Sequence, residues 1–419
     1  MITARRLTVW GIGLLGLSWF IYIHTMMVPG LIDRAGRFKG TDYIQFYVMG
    51  SLVLDGRADA LYDAGAHLAE GRRRIDPGLD LYAQYPNYAP HIALMFAPLA
   101  LLPFGWSLTV FLSITSLCYL TSVWLVWREC EGLRHHGRLV ALLAVASPLF
   151  LTLVRYGQLS AVALFLWSLG LVAMRRDRPF IAGLMLGCLA YKPQLGVVAG
   201  VVLLLGRQWR VVAGAAAAVA AQITVALLVT GVKPLAQYGQ VLWTLMMNPR
   251  LVEIHPTEMH SLRGFVQLLT ESPAVVGGCF VAALLCVLAI AWRSWSSRAP
   301  LGVRWGELVL LTVLASPHLI AYDLVLLTLP LLVFSDWAVQ HADHRLAPAV
   351  SALLVLVYFA PFSGNLARLI AVQLSVVVMA ILAWRISSIC AADLGTDATA
   401  YSERTPRRAF ELTPQGASN

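Results

Sequence analysis

Residues 7–28 read LTVWGIGLLGLSWFIYIHTMMV, an apolar run without Asp, Glu, Lys or Arg. Coiled as an α-helix it rises about 33 Å, enough to cross a hydrocarbon layer of roughly 30 Å. Arg5 and Arg6 stand just before it. The run is longer than a signal-peptide core and no small-x-small cleavage site follows, so it reads as a retained first span. The rest of the chain has the same character. Of 419 residues, 59% are hydrophobic and 13% charged, with a mean hydropathy of +0.72. A soluble domain carries roughly 25% charged residues. The fold class is therefore an all-α polytopic membrane protein, since helices satisfy their own backbone groups in lipid.

Working outward, Pro29 to about Tyr88 is the only long hydrophilic region. A proline-punctuated apolar block, Pro90 to Pro103, follows and continues into a clear span ending at Trp127. Further apolar runs lie at 139–154, 159–174, 179–191, 194–205, 211–231, 274–292, 305–316, 319–334, 346–360 and 366–384, giving about twelve spans. Residues 1–390 thus form one transmembrane domain, with 29–88 as its extracytoplasmic loop. Residues 391–419, rich in Thr, Ser and Arg, are expected to be a disordered cytoplasmic tail.

Charge placement sets the orientation. With the N-terminus cytoplasmic, the inner segments hold 18 of the 31 Lys and Arg residues. Seven of the other thirteen fall in loop 29–88, and long loops are largely exempt from the positive-inside rule. The expectation is a multi-pass protein of the cell inner (plasma) membrane, both termini inside, with its polar motifs on the extracytoplasmic face. The formal net charge of +9 is then an orientation signal. No basic stripe carries a nucleic-acid-binding motif, so no nucleic acid partner is expected. Six scattered cysteines form no Cys-x-x-Cys pair, and phosphate-cradling glycine loops and Gly-x-Ser-x-Gly are absent.

The stretch KGTDYIQFYVMGS, residues 39–51, carries a carboxylate among aromatic side chains just beyond the first span. Thr41 can cap a helix starting at Asp42, and Asp55-Gly56 ends it. Gln45, Phe46 and Met49 then share a face with Asp42. Asp42 is either a general base or a stabiliser of its helix dipole. Lys192, flanked by Tyr191, Pro193 and Gln194, either binds a lipid phosphate or snorkels to the interface. Arg155 and Gln158 bracket a short turn, where Arg suits phosphate recognition and equally suits a helix C-terminus. His260 and Arg263, at i and i+3, offer a second anionic contact or simple exposed polarity. His318 is a catalytic or phosphate-binding candidate; Asp323 needs a partner within the membrane, with a structural pair as its plain reading. Tyr82, Tyr85, Tyr88 and Trp106 suit an interfacial belt or a sugar platform.

The ordered series Thr41-Asp42-Tyr43 with Phe46, Tyr47 and Gly50, then Leu61-Tyr62-Asp63, Tyr85-Pro86, Ala97-Pro98-Leu99, Gly157-Gln158, Lys192-Pro193, His260-Ser261-Leu262 and Ser316-Pro317-His318 with Tyr322-Asp323 resembles glycosyltransferase family 87. That family comprises polyprenol-phosphate-sugar-dependent mannosyltransferases of the GT-C class. The resemblance implies a GT-C helix bundle and a polyprenyl-phosphate-sugar donor, most simply mannose. It also implies a lipid or glycan acceptor and neighbouring membrane lipids. Asp42 falls in the place of the general base, and Lys192 and His318 in that of donor-phosphate contacts, with Arg155 and Gln158 beside them. Tyr43, Gln45, Tyr85, His260 and Arg263 are candidate acceptor or donor contacts. Where family members often read Tyr-Pro-Pro, this chain has Tyr85-Pro86-Asn87. A lipid phosphate leaves without an acid, so one carboxylate suffices for inversion, unlike the glycosidases, and neither cofactor nor metal is required. Two other classes fit a polytopic chain: a lipid-linked sugar transporter or flippase, which would show internal symmetry, and an oligosaccharide polymerase or ligase.

Overall fold

The computed structural model describes residues 3–79, 87–248 and 255–403. Among them nineteen α-helices and no β-strand occur, the extended contacts being the isolated bridges Ile32 to Phe38 and Met259 to Ile320. The first span is α1 (Ala4–Met26). The segment after it carries α2 (Tyr43–Leu54) and α3 (Ala64–Arg74), then α4 (Pro90–Phe96) and the long α5 (Phe104–Arg128). Next come α6 (Gly137–Val145), α7 (Pro148–Tyr156), α8 (Ser160–Arg175) and α9 (Pro179–Gly187). They are followed by α10 (Val197–Leu205), α11 (Trp209–Thr230), α12 (Val232–Met247), α13 (Leu262–Leu269), α14 (Pro273–Trp295) and α15 (Leu301–Ala315). A tight helical segment, Ala321–Leu327, runs into α16 (Thr328–Gln340), and α17 (Ala347–Tyr358), α18 (Ser363–Ile370) and α19 (Leu374–Glu403) complete the chain.

Six helices are long and apolar enough to cross a membrane, or eight when each bent pair counts as one span. That is fewer than the dozen apolar runs suggest. Prolines account for much of the difference. Pro148 opens α7 behind the Ser147 cap and bends it 42° from the segment before. Pro193 separates α9 from α10, two helices of nine residues each. The short pieces hold together by close backbone approach. A Cβ at Gly183 would lie 2.0 Å from the Val211 carbonyl oxygen, one at Gly187 2.4 Å from that of Ala215, and one at Gly214 2.1 Å from that of Phe180. Small residues at this spacing let α9 and α11 pack by van der Waals contact where lipid supplies no hydrophobic drive.

One expectation from the sequence is revised. Thr41 does not cap α2: its hydroxyl donates to the Phe38 carbonyl at 2.8 Å, and Asp42 itself takes the cap position without a side-chain cap bond. The helix that follows is buried continuously from Tyr43 through Leu52. At Gly50 a Cβ would meet the Phe96 backbone at 2.6 Å, so α4 crosses α2 there at near-contact. Phe46 stacks on Phe96 at 4.8 Å and Tyr43 on Phe111 at 4.7 Å. At the other end of the chain the helical backbone of α19 continues past Ala391 to Glu403, and residues 404–419 lie outside the described residues.

Candidate active site

Asp42 is placed by two left-handed glycines. Gly40 (φ +63°) turns the chain into α2, and Gly157 (φ +69°) ends α7. A Cβ on Gly157 would sit 3.1 Å from the Tyr43 Cβ, so only glycine combines this backbone conformation with this approach. The Asp42 N–H donates to the Tyr156 carbonyl at 3.2 Å, fixing the start of α2 against the end of α7. Gln158, buried just beyond that turn, then donates its Nε2 to Asp42 Oδ2 at 2.6 Å. Its own Oε1 accepts from the Tyr88 hydroxyl at 3.1 Å, so the amide is held with its donor towards the carboxylate. Tyr88 is held in turn by Phe46 at 4.7 Å and Tyr191 at 6.5 Å between ring centroids. Asp42 keeps partial exposure. Burial pushes its carboxyl up to about 6, against the lowering effects of Gln158, Lys192 and a Tyr322 hydroxyl bond. A carboxylate with an open side and a raised pKa can take a proton near neutral pH.

Asp323 is the second carboxylate of the site and has a different environment. It is fully buried, accepting from Lys192 Nζ at 2.6 and 2.7 Å and from Ser160 Oγ at 2.5 Å. The Lys192 ammonium also lies 5.1 Å from the centroid of Tyr322. This is the partner that an intramembrane aspartate requires, and it also shows that the lysine charge is already compensated.

The other candidates separate clearly. His318 lies near Lys192, Asp323 and Arg263, whose charges all act on it. Burial pushes its pKa down to about 4, so it is a neutral hydrogen-bonding group at pH 7. Arg155, half-buried in the last turn of α7, has no ion pair among the described residues. It acts on Tyr156, whose ring is 5.5 Å from Tyr322. His260 is not exposed polarity: it is fully buried, its Nδ1 is 2.8 Å from Ser375 Oγ, and its backbone N–H donates to the Leu319 carbonyl. Tyr43 turns its hydroxyl to Ser107 at 2.5 Å, inside the aromatic core. Gln45 is buried on α2. Tyr82 and Tyr85 lie outside the described residues. Ser160 enters the site without a distinctive sequence signal, while Tyr322 stands in the motif with Asp323 and Tyr88 among the aromatic candidates. Tyr88 has the look of an interfacial aromatic, and Ser160 only its place two residues after Gln158.

A profile described as glycosyltransferase family 87 matches residues 86–317, more than half of the chain. It covers Tyr88, Arg155, Gln158 and Lys192; Asp42, His318 and Asp323 lie beyond its ends and reach the same site through the contacts above. Among curated proteins, the polyprenol-phosphate-mannose-dependent alpha-(1-2)-phosphatidylinositol pentamannoside mannosyltransferase of Mycolicibacterium smegmatis is 30% identical over 251 residues. The aligned stretch spans 58% of this chain and 58% of that relative. No solved structure matches the chain. With the family profile covering the central helices and the residues that hold Asp42 in place, the chain belongs to glycosyltransferase family 87.

Proposed function

We propose that this protein is a membrane hexosyltransferase that moves a sugar, most simply mannose, from a polyprenyl-phosphate donor to a hydroxyl of a lipid or glycan acceptor. The donor class is the one in the relative's name. The observation that carries the reading is the Asp42 carboxylate, partly open, held by Gln158 at 2.6 Å and not used as a helix cap. Asp42 accepts the proton of the acceptor hydroxyl as that oxygen bonds to the anomeric carbon from the side opposite the phosphate. The anomeric carbon–oxygen bond breaks, its electron pair leaves on polyprenyl phosphate, and the configuration inverts. Arg155 and the neutral imidazole of His318, with Arg263 nearby, hold the leaving phosphate. Lys192 contributes through its field while paired to Asp323. The fold is taken as a GT-C-type bundle in the plasma membrane, its site on the extracytoplasmic face and its arginine-rich loops inside. Residues 1–390 serve as one catalytic domain.

The direct test incubates the purified protein in lipid with radiolabelled polyprenyl-phosphate-mannose and an extract of membrane lipids. The expected result is label in a new glycolipid together with released polyprenyl phosphate. Movement of intact donor between leaflets with no cleavage would instead make the protein a flippase. Cysteines placed beside Asp42, Lys192 and His318 should react with an impermeant thiol reagent in intact cells; protection there with labelling at 175–178 would invert the topology.

A further inference from the structure

Four buried side-chain atoms without a hydrogen-bond partner among the described residues fall on two neighbouring segments. Asn87 Oδ1 and His91 Nε2 flank Tyr88 at the start of α4, and Gln237 Oε1 and Tyr238 OH lie in the middle of α12. Tyr62 ties the two segments together: its hydroxyl donates to the Tyr88 carbonyl at 2.8 Å, and its ring lies 6.0 Å from that of Tyr238. α12 also packs on α4 and on the turn at Ala58–Ala60. Buried polar atoms are nearly always satisfied, and exceptions call for an explanation such as a ligand. All four belong to neutral amide, imidazole and phenol groups, which suit hydroxyls rather than phosphate.

Their position relative to Asp42 says which hydroxyls. Tyr88 connects the cluster to the carboxylate through Gln158, in bonds of 3.1 and 2.6 Å. The charges of Lys192, Asp323 and Arg263 act on His318, and Lys192 lies over the Tyr322 ring. The base takes its proton from the acceptor, so hydroxyls held along the path from Tyr88 through Gln158 to Asp42 are those of the acceptor. We propose that Asn87, His91, Gln237 and Tyr238 form a subsite for the sugar hydroxyls of a neutral, polyhydroxylated acceptor and present one of them to Asp42. This rests on the glycosyltransferase reading.

The test uses alkyl glycosides as acceptor probes, decyl α-mannoside and decyl β-glucoside, with the full-length protein in lipid. Because Gln237 Oε1 and Tyr238 OH have no hydrogen-bond partner among the described residues, Gln237→Leu with Tyr238→Phe should leave the thermal midpoint unchanged or raised. The double variant should raise the KM for the better glycoside about tenfold, in line with the loss of one to two hydrogen bonds. Its KM for the polyprenyl-phosphate-mannose donor should stay as in the wild type. In the non-transferring Asp42→Asn protein the glycoside should still raise the midpoint, and adding the double substitution should abolish that shift. Three results overturn the subsite: no glycoside shift in the parent protein, an unchanged acceptor KM, or a rise in donor KM instead, which would move the hydroxyl contacts to the donor sugar. Transfer that persists in Asp42→Asn while the glycoside shift depends on Gln237 and Tyr238 would defeat the general-base reading and leave the binding site standing.

Discussion

Asp42 and Asp323 share one site and differ in everything that sets the behaviour of a carboxylate. Asp42 sits at the start of α2, partly open, with an amide from Gln158 as its close donor. Asp323 is closed off, with the Lys192 ammonium bonded to both of its oxygens and Ser160 on one. The first has neither a neutralising bond nor a capping duty, so its lone pairs remain available to a substrate proton. The second is committed to an ion pair whose rupture leaves a charge buried without compensation. Chemical identity therefore does not assign the roles; access and partner do.

The largest expected effect separates the two most sharply. Asp42→Asn keeps the shape and the position yet removes the base, so kcat should fall roughly 10²–10⁴-fold with an unchanged thermal midpoint. Asp323→Asn should do the reverse in kind, destabilising the protein by about 3–5 kcal/mol through the stranded Lys192 charge. Thermal unfolding in detergent beside a transfer assay reads both. If Asp323→Asn folds normally but is inactive while Asp42→Asn transfers sugar, the assignment is reversed. Replacing both members of the pair, Lys192→Leu with Asp323→Leu, should recover most of the stability, and donor KM in that protein measures what the lysine field contributes.

A smaller effect concerns pH. With its carboxyl raised to about 6, Asp42 is protonated and inactive below that pH, so kcat/KM should climb as pH rises through about 6 and then level off. His318, pushed down to about 4, titrates below this range and does not set that limb. The Gln158 bond favours the ionised form of Asp42, so Gln158→Leu should move the limb to higher pH; a limb that stays in place would show that another group titrates. Smallest of all, Tyr88→Phe removes one neutral hydrogen bond from the Gln158 amide, worth about 0.5–1.5 kcal/mol. Its limb should move in the same direction as that of Gln158→Leu and by less. A larger shift would mean that the phenol contacts substrate directly.

The order of legibility follows from range. The apolar character of residues 7–28, the Pro193 break and the unusual carboxylate at Asp42 were all readable in the chain, because each depends on a few adjacent residues, whereas the run 139–154 was read straight through the bend at Pro148. So was the need of Asp323 for a partner, since a carboxylate in lipid is costly wherever it sits. The partner itself was not readable, and the two readings of Lys192, as a phosphate contact or a snorkelling cation, did not include it. Nor could sequence show that His260 turns inward to Ser375, or that Tyr43 spends its hydroxyl on Ser107.

Composition and hydropathy alone determined that this protein is a helical membrane protein, because the free energy of placing a segment in lipid is a sum over its own residues. The ordered motifs pointed to the family, and the family profile bears that out across residues 86–317. Only the tertiary structure decided which charges meet. Lys192 and Asp323 are 131 positions apart, and Gln158 and Asp42 are 116. Such pairs form when helices pack at specific depths and rotations, which here depend on backbone approaches at Gly157, Gly183 and Gly214 of a few ångströms. A local pattern carries no information about that geometry, and it is the geometry that leaves one aspartate open to substrate and closes the other.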